Sequence, residues 1–421
     1  MKILLTGFNL QEDSFPLGLT YLKSFAQKNN SLNQFIIKEF SFGNRFSYDI
    51  NKNIELQALT YIILQKPDVV AFSCYIWSIE VIKNMARAIK TINPKIKIIL
   101  GGVEVNESAL TKHIEFVIQG EGELAFSNLI TQLNKKSPNL NSVPNLIYKK
   151  NNKIIKTKKI ALKNLDDIPF PYRLKEKDTY HSIKIETTRG CPYSCKYCFY
   201  AECEKPREFS FNYLKKNIAY LFKNYQFKSL TILDANLNIN KTRLKKVLEI
   251  IQKNCKNKKL SVNFELKPEL IDQELITQLE SFNLNINVEL GLQSTDQTVL
   301  KSSGRSYDLK KVKTALHLLD TAKFKSKIDL MYGLPGDTFL KFLNSAKFIL
   351  NNSRKQNQLR AHHFMLLNNT QFFREQENHK LQRFNQNNSS LIIKTNSQDA
   401  VDLEMINLFT HSLNEELKLT K

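Results

Sequence analysis

Apolar and polar positions alternate along this chain in two rhythms, one for strands and one for helices, and the two keep trading places. Residues 3–6, 34–40, 69–73, 97–101 and 116–119 are short runs dense in Ile, Val, Leu and Phe, which read as strands. Between them, residues 17–29, 54–65, 78–93 and 122–134 carry apolar side chains at helical spacing. That order predicts a doubly wound α/β domain over residues 1–135, a parallel sheet with helices on both faces. Ligands of such sheets sit beyond the carboxyl ends of the strands. The candidates there are the loop from Gly7 to Gly18, Ser73-Cys74-Tyr75, Gly101-Gly102-Val103-Glu104 and Gly120-Glu121-Gly122-Glu123.

Residues 136–180 break the rhythm with Pro138, Pro144 and Pro169-Phe170-Pro171-Tyr172, and read as a linker. Within it, residues 149–163 hold seven lysines and no acidic residue, around a hairpin turn at Asn151-Asn152. The alternation then resumes. Strands are expected at 183–187, 229–233, 260–265, 286–290, 326–331 and 362–366, with helices at 211–225, 241–254, 271–282, 309–321 and 339–351. Six βα units make a partial barrel over residues 181–352, whose active site belongs at the carboxyl ends of its strands. Beyond Gly336 the chain has no further Gly or Pro, so residues 353–421 form an extension with little loop punctuation.

Composition narrows the class. With 421 residues and 42% hydrophobic side chains, the chain can build two or three cored domains. No apolar run nears the roughly 20 residues of a membrane span, and no signal peptide is visible at Met1-Lys2-Ile3-Leu4-Leu5. Six cysteines, three of them clustered, suit thiolates that bind metal in a reducing cytoplasm. The formal charge of +22 raises nucleic acid as a partner, but the lysines are spread along the chain rather than gathered. A solvated hairpin is the simpler reading of the lysine run.

The most specific stretch is Glu186-Thr187-Thr188-Arg189-Gly190-Cys191-Pro192-Tyr193-Ser194-Cys195-Lys196-Tyr197-Cys198-Phe199. Three cysteines at C-x3-C-x2-C follow a short apolar strand. Three thiolates without a paired fourth point to an iron–sulfur cluster with one iron open; a zinc knuckle recruiting Cys203 is the competing arrangement. The spacing, with aromatic Tyr197 before the third cysteine, resembles the radical SAM signature. That resemblance implies a 4Fe-4S cluster on Cys191, Cys195 and Cys198 and S-adenosylmethionine on the open iron. It also implies an electron donor such as flavodoxin or ferredoxin.

Further elements resemble the family in order. Asp234-Ala235-Asn236 stands where the family carries a glycine-rich turn, a departure that leaves Asp234 and Asn236 as candidate contacts to the methionine amino group. Glu265-Leu266-Lys267-Pro268-Glu269-Leu270 resembles E-x-R-P-E-L, with Lys267 in place of the commoner Arg. Glu289-Leu290-Gly291-Leu292-Gln293-Ser294 resembles the G-x-Q-S element, and Asp329-Leu330-Met331-Tyr332-Gly333-Leu334-Pro335-Gly336-Asp337-Thr338 the D-L-I-x-G-L-P-G-E-T loop against adenine. The resemblance thus implies Tyr197, Asp234, Asn236, Glu265, Lys267, Glu289, Gln293, Ser294, Gly333 and Pro335 as the S-adenosylmethionine site. Arg305 reads as a surface residue, with a place facing the pocket as the alternative, and one of His362 and His363 could reach the cavity as a proton donor.

The amino-terminal layout resembles the cobalamin-binding domain found before many radical SAM cores. It implies cobalamin contacts at Ser73, Cys74, Gly101, Gly102, Glu104, Gly120, Glu121 and Gly122. The chain departs from D-x-H-x-x-G, because the loop from Phe8 to Gly18 holds no histidine and the first is His113. Cobalt there would have no His ligand from that loop. The resemblance implies a cobalamin-dependent methyltransferase acting on an unactivated carbon. The alternatives are a radical SAM cyclase or oxidoreductase without cobalamin, or a non-catalytic scaffold.

Overall fold

The computed structural model describes residues 1–10, 15–42, 53–174, 178–202, 205–256, 260–353, 358–384 and 390–419. Cys203 and residues 11–14 of the first loop lie outside the described residues. The chain divides into two compact units, Met1–Asp178 and Thr179–Lys421.

In the first unit, strands β1 (Lys2–Asn9), β2 (Gln34–Ser41), β3 (Val69–Ser73), β4 (Lys97–Gly101) and β5 (Phe116–Ile118) are parallel in the order β2-β1-β3-β4-β5. This is a doubly wound order. Val69–Ser73 is apolar on both faces because both are covered. Leu4, Val70, Ile98, Leu100 and Val117 pack on one face with helices α2 (Ile54–Gln65) and α3 (Ile79–Ile92). Ile3, Leu5, Ala71, Ile99 and Ile118 pack on the other with α1 (Leu17–Asn29) and α4 (Glu123–Leu133).

The lysine-rich segment forms a hairpin, β6 (Leu146–Lys150) and β7 (Lys153–Lys156), which joins this sheet antiparallel at the β5 edge. Its turn residues Asn151 and Asn152 take φ of 49° and 59°, as a two-residue turn between twisted strands requires. The Pro171–Arg173 turn packs on α1, so the residues after α4 fold back on the first unit.

The second unit is a six-stranded, wholly parallel sheet: β8 (Thr179–Ile185), β9 (Gln226–Ile232), β10 (Ser261–Leu266), β11 (Asn285–Gln293), β12 (Lys325–Tyr332) and β13 (Gln358–His363), in spatial order β13-β12-β11-β10-β9-β8. Helices α5 (Phe211–Asn224), α6 (Lys241–Asn254), α7 (Gln273–Glu280), α8 (Gln297–Ser302), α9 (Leu309–Thr321) and α10 (Phe339–Asn352) follow the strands. Side chains of Ser210, Asn240, Asp272, Asp296, Asp308 and Thr338 cap their first turns.

The last strand is a correction to the sequence reading. It runs over Gln358–His363, not residues 362–366. The apolar run Phe364-Met365-Leu366 that drew the expectation lies past the sheet, where Phe364 and Leu366 are buried and Phe364 and Leu366 bond to the later hairpin β14 (Gln382–Phe384), β15 (Leu391–Lys394) and its approach. A short helix α11 (Gln371–Arg374) precedes that hairpin, and α12 (Ala400–Leu419) follows it. No described helix is long and apolar enough to cross a membrane.

Candidate active site

The cysteine loop hangs from the end of β8, and its root is a single buried residue. Thr187 has no exposed surface. Its N–H donates to Asp234 Oδ1 at 2.7 Å, and its hydroxyl donates to Asp234 Oδ2. Thr188 N–H adds a bond to the same Oδ1 at 3.1 Å. On the other side the Thr187 carbonyl accepts from Arg243 Nη2 at 2.5 Å and from Phe209 N–H at 3.0 Å. Asp234 is 2% exposed, and burial lifts its carboxyl pKa against the pull of these bonds. The carboxylate expected to meet substrate therefore anchors the loop; Asn236, two residues on, is the one that turns towards it, with Nδ2 3.8 Å from Cys191 Sγ.

Cys191, Cys195 and Cys198 are each partly buried, and close enough that Cys195 disfavours ionisation of both others. Burial raises the Cys191 thiol, and pushes Cys198 to about 11. Among the described residues, no three His, Cys, Asp or Glu side chains converge as ligands of one ion do. In a cubane cluster each of three thiolates takes a different iron. The donor chemistry fits a cluster.

A second loop clamps the first. Lys196 N–H donates to Ser303 O at 3.0 Å, and a Cβ added to Gly304 would stand 2.5 Å from the Ser194 carbonyl oxygen, at φ +71°. Only glycine permits that approach. The next residue, Arg305, is not the surface residue that its sequence context suggested. Its guanidinium donates to the Tyr197 hydroxyl and, through Nη2, to Gly291 O at 2.9 Å, which also accepts from Tyr307 Oη at 2.9 Å. Burial raises the pKa of the Tyr197 hydroxyl, and the Arg305 guanidinium pulls against it.

The strand ends supply the rest. Lys267 pairs with Glu269 and lies 3.7 Å from the Tyr193 ring centroid, while its backbone is gripped by the buried Asn238 amide at 2.8 and 2.9 Å. Glu265 projects from the polar face of the sheet, where partial desolvation and the neighbouring Asp329 raise its carboxyl pKa. Glu289 pairs with Arg360, which also forks onto Asp329 at 2.7 and 2.9 Å. Gln293 sits at a bulge where the β11–β12 register shifts, with φ of 69°. Its Oε1 is buried without a partner. Strain and an orphaned acceptor together at a strand end mark a site that a ligand completes.

Other expected contacts fall elsewhere. Ser294 is buried, and its Oγ accepts the Asp296 N–H at 3.1 Å, closing the turn before α8. Gly333 lies under Leu403 of α12, and the Pro335 carbonyl is taken by Ser302 Oγ at 2.6 Å. His363 stacks on Tyr332 and bonds to Ile392 O at 2.7 Å, and burial lowers its pKa, so it is a neutral packing residue. His362 is half exposed, 3.4 Å from Asp329. Asp329, Arg360, Arg243 and Glu375 were not anticipated. The alternation of β12 and β13 carried a signal for the first two, and nothing local marked the others.

In the first unit, Ser73, Gly101, Gly102, Gly120 and Glu121 gather at the carboxyl ends of β3, β4 and β5. A Cβ on Gly120 would meet nothing within 4 Å, and one on Gly101 only Ile118 O at 3.9 Å, so a crevice opens there. Gly102 lets its loop close on Cys74, whose carbonyl oxygen would lie 2.5 Å from a Cβ at φ +108°. Three neighbouring candidates do not reach that crevice. Cys74 has no exposed surface and burial raises its thiol; Glu104 is 3% exposed; Gly122 packs against Leu22 of α1. Trp77 packs on the core cluster and donates to Phe8 O at 2.9 Å. The small residues at this edge fit a corrin ring.

Residues 185–349 match the Radical SAM superfamily model, and residues 4–130 match the B12 binding domain. Residues 185–349 thus form a radical SAM domain, and residues 4–130 a B12 binding domain. Among curated relatives of this chain is the cobalamin-dependent radical SAM methyltransferase TokK of Streptomyces tokunonensis, 26% identical over 66% of this chain and 44% of that one. Another is the 2-(S-pantetheinyl)-carbapenam-3-carboxylate methyltransferase of Streptantibioticus cattleyicolor, 25% identical over 72% and 47%. The chain spans about half the length of these relatives. Its fold is shared with the radical SAM methyltransferase TsrM of Kitasatospora setae, with a TM-score of 0.68 at 14% identity over 88% of this chain and 74% of that one. It is shared too with the cobalamin-dependent radical enzyme OxsB, with a TM-score of 0.67 at 14% identity over 95% and 65%.

Proposed function

We propose that this chain is a cobalamin-dependent radical SAM methyltransferase that alkylates an unactivated carbon. The observation that carries the reading is the pinned three-cysteine loop beside the strained Gln293, whose buried acceptor waits for a ligand. When bound, the cluster supplies the electron that cleaves S-adenosylmethionine, and cobalamin supplies the methyl group. The protein places and shields these groups. Cys191, Cys195 and Cys198 hold the cluster, and Asn236 donates towards Cys191. Arg305 and Lys267 offer cations for a carboxylate, Glu265 an acceptor for an ammonium, and Gln293 an amide for ribose. Tyr332, Leu334, Phe364 and Leu403 are buried round the Gly333 loop and keep water from it.

The domain boundaries proposed are 1–135, 136–180, 181–352 and 353–421. An acidic flavodoxin or ferredoxin suits a chain of charge +22 as electron donor, and the free thiols suit the cytoplasm. The reading is tested by loading the protein anaerobically with cobalamin. With no histidine in the loop from Phe8 to Gly18, the bound cofactor should give a base-off visible spectrum. In the Co(II) state it should show no imidazole nitrogen coupling by electron paramagnetic resonance. A folded, cluster-loaded protein that binds no cobalamin would shift the assignment to a radical SAM cyclase or oxidoreductase.

A further inference from the structure

The carboxyl-terminal extension reaches the cysteine loop at Lys196. α11 is capped by the Thr370 side chain and anchored by Phe372, which has no exposed surface and meets Phe364 and His379 edge-on, at 5.6 and 5.2 Å. From that anchor the Phe372 N–H donates to Lys196 O at 2.9 Å. Lys196 lies between Cys195 and Tyr197, and its own N–H is held by Ser303 O on the other side. The middle of the C-x3-C-x2-C loop is thus gripped from two directions. The Lys196 ammonium also meets Glu375 Oε2 at 3.0 Å. Glu375 in turn accepts from Gln371 Nε2 at 2.7 Å and lies 3.4 Å from His379 Nε2. The Gln371 bond and Lys196 together hold the Glu375 carboxyl below its usual pKa.

We propose that Glu375 is a positioning residue of the cluster loop, which neutralises Lys196 and, with Phe372, braces the loop from the extension. The proposal rests on the reading that the three cysteines hold an iron–sulfur cluster. An ammonium one residue from a cluster ligand favours the more negative, reduced cluster; a carboxylate on that ammonium cancels the effect. Lys196 and Glu375 are 24% and 26% exposed, so their pairing contributes little to global stability. Its effect belongs in the cluster rather than in a melting curve.

The experiment compares wild type, E375Q, K196M and the double variant after anaerobic reconstitution, with iron content, chelator-driven iron loss and an EPR-monitored redox titration. E375Q should load as much iron as wild type and lose it to chelator roughly two- to fivefold faster, the range that one partly exposed ion pair allows. Its midpoint potential should rise. In the K196M background E375Q should not speed iron loss further, because the ion pair is already gone, and E375D should keep the wild-type potential. A wild type that takes up no iron overturns the cluster reading and the proposal with it. A loaded wild type beside an E375Q variant of unchanged potential, or faster iron loss that E375Q still adds without Lys196, overturns the proposal alone.

Discussion

Replacing Asp234 separates an anchor from a ligand. The buried carboxylate accepts the N–H groups of Thr187 and Thr188 and the Thr187 hydroxyl, all at the root of the cysteine loop. Asp234→Ala leaves two backbone donors and one hydroxyl without partners in a site that water does not reach. Each unmet donor costs about 1–3 kcal/mol, and such losses in one network are not additive, so the local cost is about 3–5 kcal/mol. Asp234→Asn keeps the Oδ1 acceptor and reverses one bond, at about 1–2 kcal/mol. The protein has two units, so a single unfolding free energy is not well defined. Its one tryptophan, Trp77, lies in the other unit, and its fluorescence is blind to the effect. Amide hydrogen exchange over residues 185–198 is the suitable assay, alongside iron per chain. D234A should lose protection there and hold little iron, with D234N between it and wild type. Normal protection and full iron in D234A, with only S-adenosylmethionine binding lost, would refute the anchor and restore the ligand role.

Arg305→Met removes the donor to Tyr197 and to Gly291 O, leaving a buried hydroxyl and carbonyl short of a partner; S-adenosylmethionine affinity, read by equilibrium dialysis, should fall at least tenfold, and unchanged affinity would argue against its place in the pocket. Asp337 is 1% exposed and burial pushes its carboxyl up to about 7. The folded state then binds a proton that the unfolded chain releases near pH 4, so this group's contribution falls as pH rises from about 4 to about 7. Asp337→Asn keeps the acceptor for Thr338 N–H at 2.9 Å. Its amide-exchange protection over residues 333–342 should gain on wild type between pH 5.5 and 8, and parallel pH profiles would contradict this.

The fold was legible because pattern and capping agreed. Lys241–Asn254 and Leu309–Thr321 each begin after a residue whose side chain caps the first turn, Asn240 and Asp308, and each shows one apolar face. Val69–Ser73 could be read as a strand covered on both faces because no polar residue precedes Ser73. The cysteine loop was legible from spacing alone. What escaped was direction and distance. Asp234 and Asn236 look alike in sequence, yet one lies inside, bound to Thr187, and the other near Cys191. Arg305 reads as solvated because its neighbours Ser306 and Asp308 are exposed, while its own guanidinium turns inward. Glu375 meets Lys196 across 179 residues, a separation that no periodicity encodes. In the last strand, the half-buried Arg360 finds its charge matched by Asp329 and Glu289 on neighbouring strands, which no local pattern encodes.

The central claim is that the pinned cysteines and the strand-end residues together cleave S-adenosylmethionine reductively. The direct test is chromatographic detection of 5′-deoxyadenosine from anaerobically reconstituted, dithionite-reduced protein incubated with S-adenosylmethionine, beside Cys198→Ala prepared identically. Wild type should hold about four irons per chain and form 5′-deoxyadenosine even without a methyl acceptor, and C198A should form none. A fully loaded wild type that yields no 5′-deoxyadenosine, or a C198A variant that yields as much as wild type, would contradict the account.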